Sequence, residues 1–213
     1  MWTLVKRELN DSLPVVATIL IVGMLVSLFS IWALAGHYRD EVPIGIPIYY
    51  LSSFFILFWN SIMFAIFGSS QMRNDQKNKV STFLSTLANS RRRIYLARVA
   101  SGVLCAGVLA AMLVISAWIG FSSFPRVIPI NTGLLWNFAQ LFFCMNVACY
   151  AVGLQTSWST NKYFPAFAGL GMLVLTLSII VIKWIGIYSQ VLLLLIAIVS
   201  FVRTWHKYES TSL

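Results

Sequence analysis

The side chains best suited to acid–base, nucleophilic or metal chemistry are few: His37 and His206, and the thiols Cys105, Cys144 and Cys149. The two histidines stand at the ends of different apolar runs, and the topology derived below puts them on opposite faces of a membrane. They therefore cannot work together in a Ser–His pair or share a haem at mid-membrane. The cysteines lie inside apolar runs without C-x-x-C or zinc spacing, so they read as small packing residues, and no disulfide is expected. No G-x-x-x-x-G-K-[ST] phosphate loop and no H-E-x-x-H zinc motif occurs. The sequence nominates no catalytic, cofactor-binding or metal-ligating residue, and a membrane enzyme is its least supported reading.

What remains is charge. The chain has 15 Lys and Arg. Lys77, Lys79, Arg91, Arg92, Arg93 and Arg98 all fall within "NDQKNKVSTFLSTLANSRRRIYLAR", Asn74 to Arg98, with Arg73 just before it. Inside that stretch Val80, Phe83, Leu84 and Leu87 recur at i, i+3, i+4 and i+7, one stripe of a short helix. Ser81, Thr82, Ser85 and Thr86 take the other side, and Asn89-Ser90 reads as a stop and a new start. A helix of this kind can lie on lipid headgroups with its cations reaching outward. It can equally dock into a groove on another protein. The pattern leaves both open. A formal charge of +9 could also suggest nucleic acid, but no RNP motif, zinc finger or basic helix supports that partner.

The elements that must carry this loop follow from composition. Hydrophobic residues make up 59% and charged residues 10% of 213, with mean hydropathy +0.83. A soluble domain carries about a quarter charged residues, so this chain is read as an integral, multi-pass membrane protein. A spanning helix needs about 20 apolar residues. The expected architecture is all-α, in a single transmembrane domain. An interfacial helix at 1–12 precedes spans at 13–36, 48–70, 99–121, 133–154, 163–182 and 187–203. Segment 74–93 forms a cytoplasmic loop with its own short helix. The last two spans are divided at a turn near Lys183, Trp184 and Gly186. In the N-terminal segment Trp2, Val5 and Leu9 share a face opposite Lys6, Arg7, Asn10 and Asp11, which suits a helix lying along the inner leaflet. The first span ends in "ALAG", yet its apolar core exceeds the ~7–15 residues of a signal peptide, so it is taken as a retained helix.

Basic residues set the orientation. Lys6, Arg7, the Arg73–Arg98 cluster, Lys162, Arg203 and Lys207 lie on one side, against Arg39, Arg126 and Lys183 on the other. Both termini and the basic loop are therefore expected in the cytoplasm. The spans hold no mid-membrane Asp, Glu, Lys or Arg, the residues on which ion-coupled carriers rely. Energy for any transport must then come from a partner. Among the polar span residues, Asn137, Gln140 and Cys144 share a face of the fourth span, and Tyr49, Ser53 and Asn60 share a side of the second. Such residues bond to neighbouring helices or line a path for cargo. Gly102, Ala106 and Ala110, four apart, form a strip for close helix packing in the third span.

Together these features resemble the permease subunits of type-2 ABC transporters: an amphipathic N-terminal helix, six spans, and a basic loop between the second and third. Asp75, Phe83-Leu84, Leu87 and Ser90-Arg91 match the shape of that family's loop motif. Lys79-Val80 stands where Gly-Thr is usual, and Ala88 replaces a proline. The resemblance implies that the loop is a coupling helix docked on a separate ATPase, through Asp75, Val80, Phe83, Leu84, Leu87, Ser90 and Arg91. It implies a second permease subunit, identical or related, and ATP with Mg²⁺ bound on the ATPase rather than on this chain. It further implies a bacterial inner membrane, and export along the permease–permease interface. Ser53, Asn60 and the Ala166/Gly169 region are then candidates for the path, and Asn137 and Gln140 are further path candidates by their shared polar face. An alternative is a non-transporting scaffold that recruits a cytoplasmic partner through the same loop. A largely apolar interior with scattered Asn, Ser and Gln suits a lipid, a peptide or a drug as cargo.

Overall fold

The computed structural model describes residues 45–78, 91–123, 132–158, 161, 163–183 and 186–210, with scattered helical positions between residues 5 and 25. Its continuous elements are α1 (Gly45–Asn78), α2 (Arg91–Ser123), α3 (Thr132–Thr156), α4 (Phe164–Lys183) and α5 (Ile187–Ser210). Among the described residues there is no strand. An all-helical chain is what hydrocarbon permits, because a helix satisfies its own backbone donors and acceptors without water.

Among the described residues three helices are long and apolar enough to cross a membrane: Arg92–Ser116, Trp136–Thr156 and Ile187–Ser210. A shorter apolar helix runs from Phe164 to Ile180. Large apolar side chains face outward along α2 (Leu104, Val108, Ile115, Trp118) and along α5 (Val191, Leu195, Ile198, Val199). Water would not tolerate so continuous an apolar exterior; lipid would.

Helix ends have local causes. Ahead of α4, the Asn161 side chain accepts a hydrogen bond from the Tyr163 N–H at 3.0 Å. Pro165 then occupies the first turn, where its missing N–H costs nothing. At α5, Ser189 accepts from the Gly186 N–H at 3.3 Å and donates to the Gly186 carbonyl at 2.6 Å. This resembles the back-reaching half of a capping box. It also gives α4 and α5 separate identities, with the break falling between Lys183 and Ile187.

The core is organised around α3, which packs against all four other helices. Its spanning window is 72% buried, against 28% for those of α2 and α5. Contact with α1 is backbone to backbone. A Cβ on Gly153 would stand 2.2 Å from the Ala65 carbonyl oxygen, and one on Gly68 would stand 2.4 Å from that of Tyr150. On α1's other flank, a Cβ on Gly169 of α4 would lie 2.6 Å from the Ser61 oxygen. Small residues thus let three backbones close on one another, the usual device where apolar burial gives helices no reason to associate. The strip on α2 serves a related end: a Cβ on Gly102 would overlap the Tyr150 ring, and Ala106 is fully buried.

Near the N-terminus the described positions are helical, with Val5 buried and Lys6 and Asn10 exposed. Trp2 and Leu9 of the expected interfacial face lie outside the described residues.

Candidate functional site

Of the coupling residues, Val80, Phe83, Leu84, Leu87 and Ser90 lie outside the described residues. Asp75 falls in the last turn of α1, and Arg91 is the first residue of α2. Helix therefore enters the 74–93 segment from both sides, through Asn74–Asn78 and Arg91–Arg93. Apolar runs mark where lipid ends, but a hydrogen-bonded ladder already running continues through polar residues. What the structure describes is the frame around residues 79–90.

That frame is held by a buried polar knot. From α1, the Gln71 amide nitrogen donates to the Ser101 hydroxyl of α2 at 3.2 Å. The Ser101 hydroxyl donates to its own helix at the Arg98 carbonyl, 2.8 Å away. From α3, the Tyr150 hydroxyl reaches both Gln71 Oε1 and the Arg98 carbonyl. It has one hydrogen, so it donates to one of the two at a time. Arg98 is fully buried, and one guanidinium nitrogen lies 3.0 Å from the Met72 sulfur of α1. A guanidinium removed from water costs several kcal/mol in order of magnitude unless it is held by partners, so Arg98 holds the α1 and α2 ends to a specific geometry.

Around the knot runs an aromatic shell. The Tyr95 hydroxyl of α2 donates to the Phe201 carbonyl of α5 at 2.7 Å. The Tyr95 ring lies 5.3 Å from that of Trp205 and 6.1 Å from that of Tyr208. Tyr150 contacts Phe67 of α1 and Phe201 of α5. Arg73 donates to the Asn161 carbonyl at 2.8 Å, tying the end of α1 to the segment after α3. The Lys207 ammonium sits 5.2 Å from the Trp158 ring, within cation–π reach. These contacts place the ends of α1, α3 and α5 and the starts of α2 and α4 at one end of the bundle. It is the end that carries the basic loop.

Among the described residues this arrangement pairs no nucleophile with a base, and no group of three His, Cys, Asp or Glu side chains could hold a metal. The two helices that border residues 79–90 cannot shift independently of α3 without breaking buried hydrogen bonds.

The path candidates do not gather at one level. The Ser53 side chain lies outside those described, Asn60 is buried, Gln140 is half-buried and Asn137 is exposed. Asn60 precedes Ser61, whose hydroxyl lies 3.7 Å from the Met145 sulfur. Five residues separate Met145 from Gln140, about 7–8 Å along a helix. Asn137 is farther still, and its carbonyl is 3.5 Å from the Gln190 amide of α5.

Sequence reasoning missed Asn146. It is fully buried in α3, and among the described residues neither its amide nitrogen nor its amide oxygen has a partner. Serines and threonines in these helices donate to their own backbone, as Ser61 does to Leu57 and Thr176 to Met172. An asparagine amide, with donor and acceptor side by side, has no such local solution here. The signal was present: Asn146 is an amide in the middle of an apolar run. It shares no polar stripe with Asn137 and Gln140, which the face criterion selected. The knot residues Gln71, Ser101 and Tyr150 gave no comparable signal.

No family model, curated protein or solved structure matches this chain.

Proposed function

We propose that the chain is the membrane-spanning permease subunit of an ATP-driven exporter, moved by a separate ATPase that grips residues 79–90. The observation that carries this reading is the bracing of α1 and α2 against α3 by Gln71, Arg98, Ser101 and Tyr150. A force applied to the segment between these helices reaches the central helix of the bundle instead of dissipating in a loose loop. The absence of charged residues within the apolar runs, and the apolar stripe of Val80, Phe83, Leu84 and Leu87, support an external engine and a place for it to bind. On this reading the chain spans the membrane six times, with both termini and the basic loop in the cytoplasm of a bacterium. It pairs with a second permease subunit, and ATP and Mg²⁺ act on the ATPase. Asp75, Ser90 and Arg91 flank the docked stripe.

The test is co-purification. Phe83→Asp and Leu84→Asp are expected to release the ATPase while the chain still inserts and folds. If the ATPase stays bound to both variants, the reading fails. If the ATPase is released but no cargo moves with ATP in the wild-type complex, the scaffold alternative takes its place.

A further inference from the structure

The α2–α5 contact leaves an outer groove at the basic end, and its chemistry is that of a lipid headgroup site. In α2, Ile94, Arg98 and Ser101 face the core, and Tyr95 reaches α5. Arg92 and Leu96, four residues apart, fall on the side of Tyr95 away from that core. In α5, Ala197, Ser200 and Thr204 face the core, and Phe201 meets Tyr95. Ile198 and Val202 then fall on the side of Phe201 away from the core. Leu96, Ile198 and Val202 are all exposed, at 41%, 55% and 50%. The two apolar stripes border the same groove, because both helices turn their core faces to the same side of the Tyr95–Phe201 contact.

One turn beyond that apolar strip, Arg92 and Arg93 are exposed. Among the described residues neither takes part in an ion pair or hydrogen bond. Among the described residues the acids at this end are Asp75 in α1 and Glu209 in α5, and Glu209 forms no ion pair among them. Unpaired arginines just past an exposed apolar groove match one ligand: a molecule with an anionic head and apolar tails.

We propose that this groove seats one anionic phospholipid, with its phosphate on Arg92 and Arg93 and its acyl chains along Leu96, Ile198 and Val202. The proposal requires only that α2 and α5 lie in a membrane, so it does not depend on the ATPase reading. A lipid bound there would splint the start of α2, the helix that leads out of the basic loop.

The experiment is native mass spectrometry of the purified full chain in neutral detergent. It is titrated with phosphatidylglycerol, with phosphatidylcholine and with inorganic phosphate. One phosphatidylglycerol is expected to be retained where phosphatidylcholine is not, and phosphate alone should not compete at millimolar concentration. Arg92→Gln with Arg93→Gln should weaken retention roughly ten- to thirtyfold. Lys207→Gln, which removes a cation engaged with Trp158, should leave it unchanged. Equal retention of phosphatidylcholine, full competition by phosphate, or an unaltered double variant each overturns the proposal. Should the glutamine variant fail to fold, the headgroup comparison on the wild-type chain decides the matter alone.

Discussion

The Tyr150 hydroxyl of α3 lies 2.8 Å from the Arg98 carbonyl of α2, in a position fully removed from solvent. The same hydroxyl reaches Gln71 of α1, so a single side chain of the central helix bridges the two helices that border the basic loop.

Removing that hydroxyl tests the bridge. Tyr150→Phe keeps the ring against Gly102 and Phe67 but leaves Gln71 Oε1 and the Arg98 carbonyl without their common donor. The expected loss of stability is about 1–2 kcal/mol, read from denaturant or thermal unfolding in detergent. Gln71→Leu should cost a similar amount. The double variant should lose less than the sum by about 1 kcal/mol, the mark of a direct interaction.

Backbone proximity gives a sharper contrast. Gly153→Ala would drive a methyl group to 2.2 Å from the Ala65 carbonyl oxygen, against backbone that cannot swing aside. The helices must separate, at a cost of about 3 kcal/mol or more. Gly171→Ala meets nothing within 4 Å. It should be neutral or stabilise by about 0.5–1 kcal/mol through reduced backbone freedom in the unfolded chain. Thermal unfolding of the two variants side by side settles the point, and equal effects would contradict the α1–α3 packing.

These two sites differ in how far the sequence announced them. Unbroken apolar runs reveal α2, α3 and α5 as helices able to span, because hydrocarbon leaves the backbone no alternative. The Gly102/Ala106/Ala110 strip is legible from its spacing. Gly68, Gly153 and Gly169 are not, since a lone glycine in an apolar run gives no sign of which helix approaches it. Tyr150 is one more aromatic until folding brings Gln71 and Arg98 to it, and nothing local encodes a contact across 79 residues. The extension of α1 to Asn78 is likewise hidden, because hydropathy falls at the membrane edge while the helix runs on.

Asn146 makes a prediction of the opposite sign. Its amide is buried with neither atom partnered among the described residues, so the packed state carries a desolvation penalty of about 1–3 kcal/mol. Asn146→Leu should therefore raise stability, by about 1 kcal/mol after some loss to imperfect fit. Asn146→Asp should lower it, because a carboxylate needs hydration more than an amide does. A melting temperature that falls for the leucine variant would show that the amide is needed for packing after all.

The last prediction separates holding the bundle together from transmitting force through it. On the proposed function, Phe83→Asp and Leu84→Asp act where the ATPase binds, so they abolish association. Gln71→Leu and Tyr150→Phe act behind the docking segment, where α1 and α2 are fastened to α3. The ATPase should stay bound to these variants and hydrolyse ATP at close to the wild-type rate, while cargo moved per ATP falls severalfold. The brace normally obliges α3 to follow the loop; without it, part of each stroke is absorbed by sliding of α1 and α2. Measuring hydrolysis and vesicle uptake on the same reconstituted complex distinguishes the outcomes. If hydrolysis and transport decline in equal proportion, the knot only stabilises the fold. If transport alone declines, Tyr150 is the point at which movement of the loop becomes movement of the membrane core.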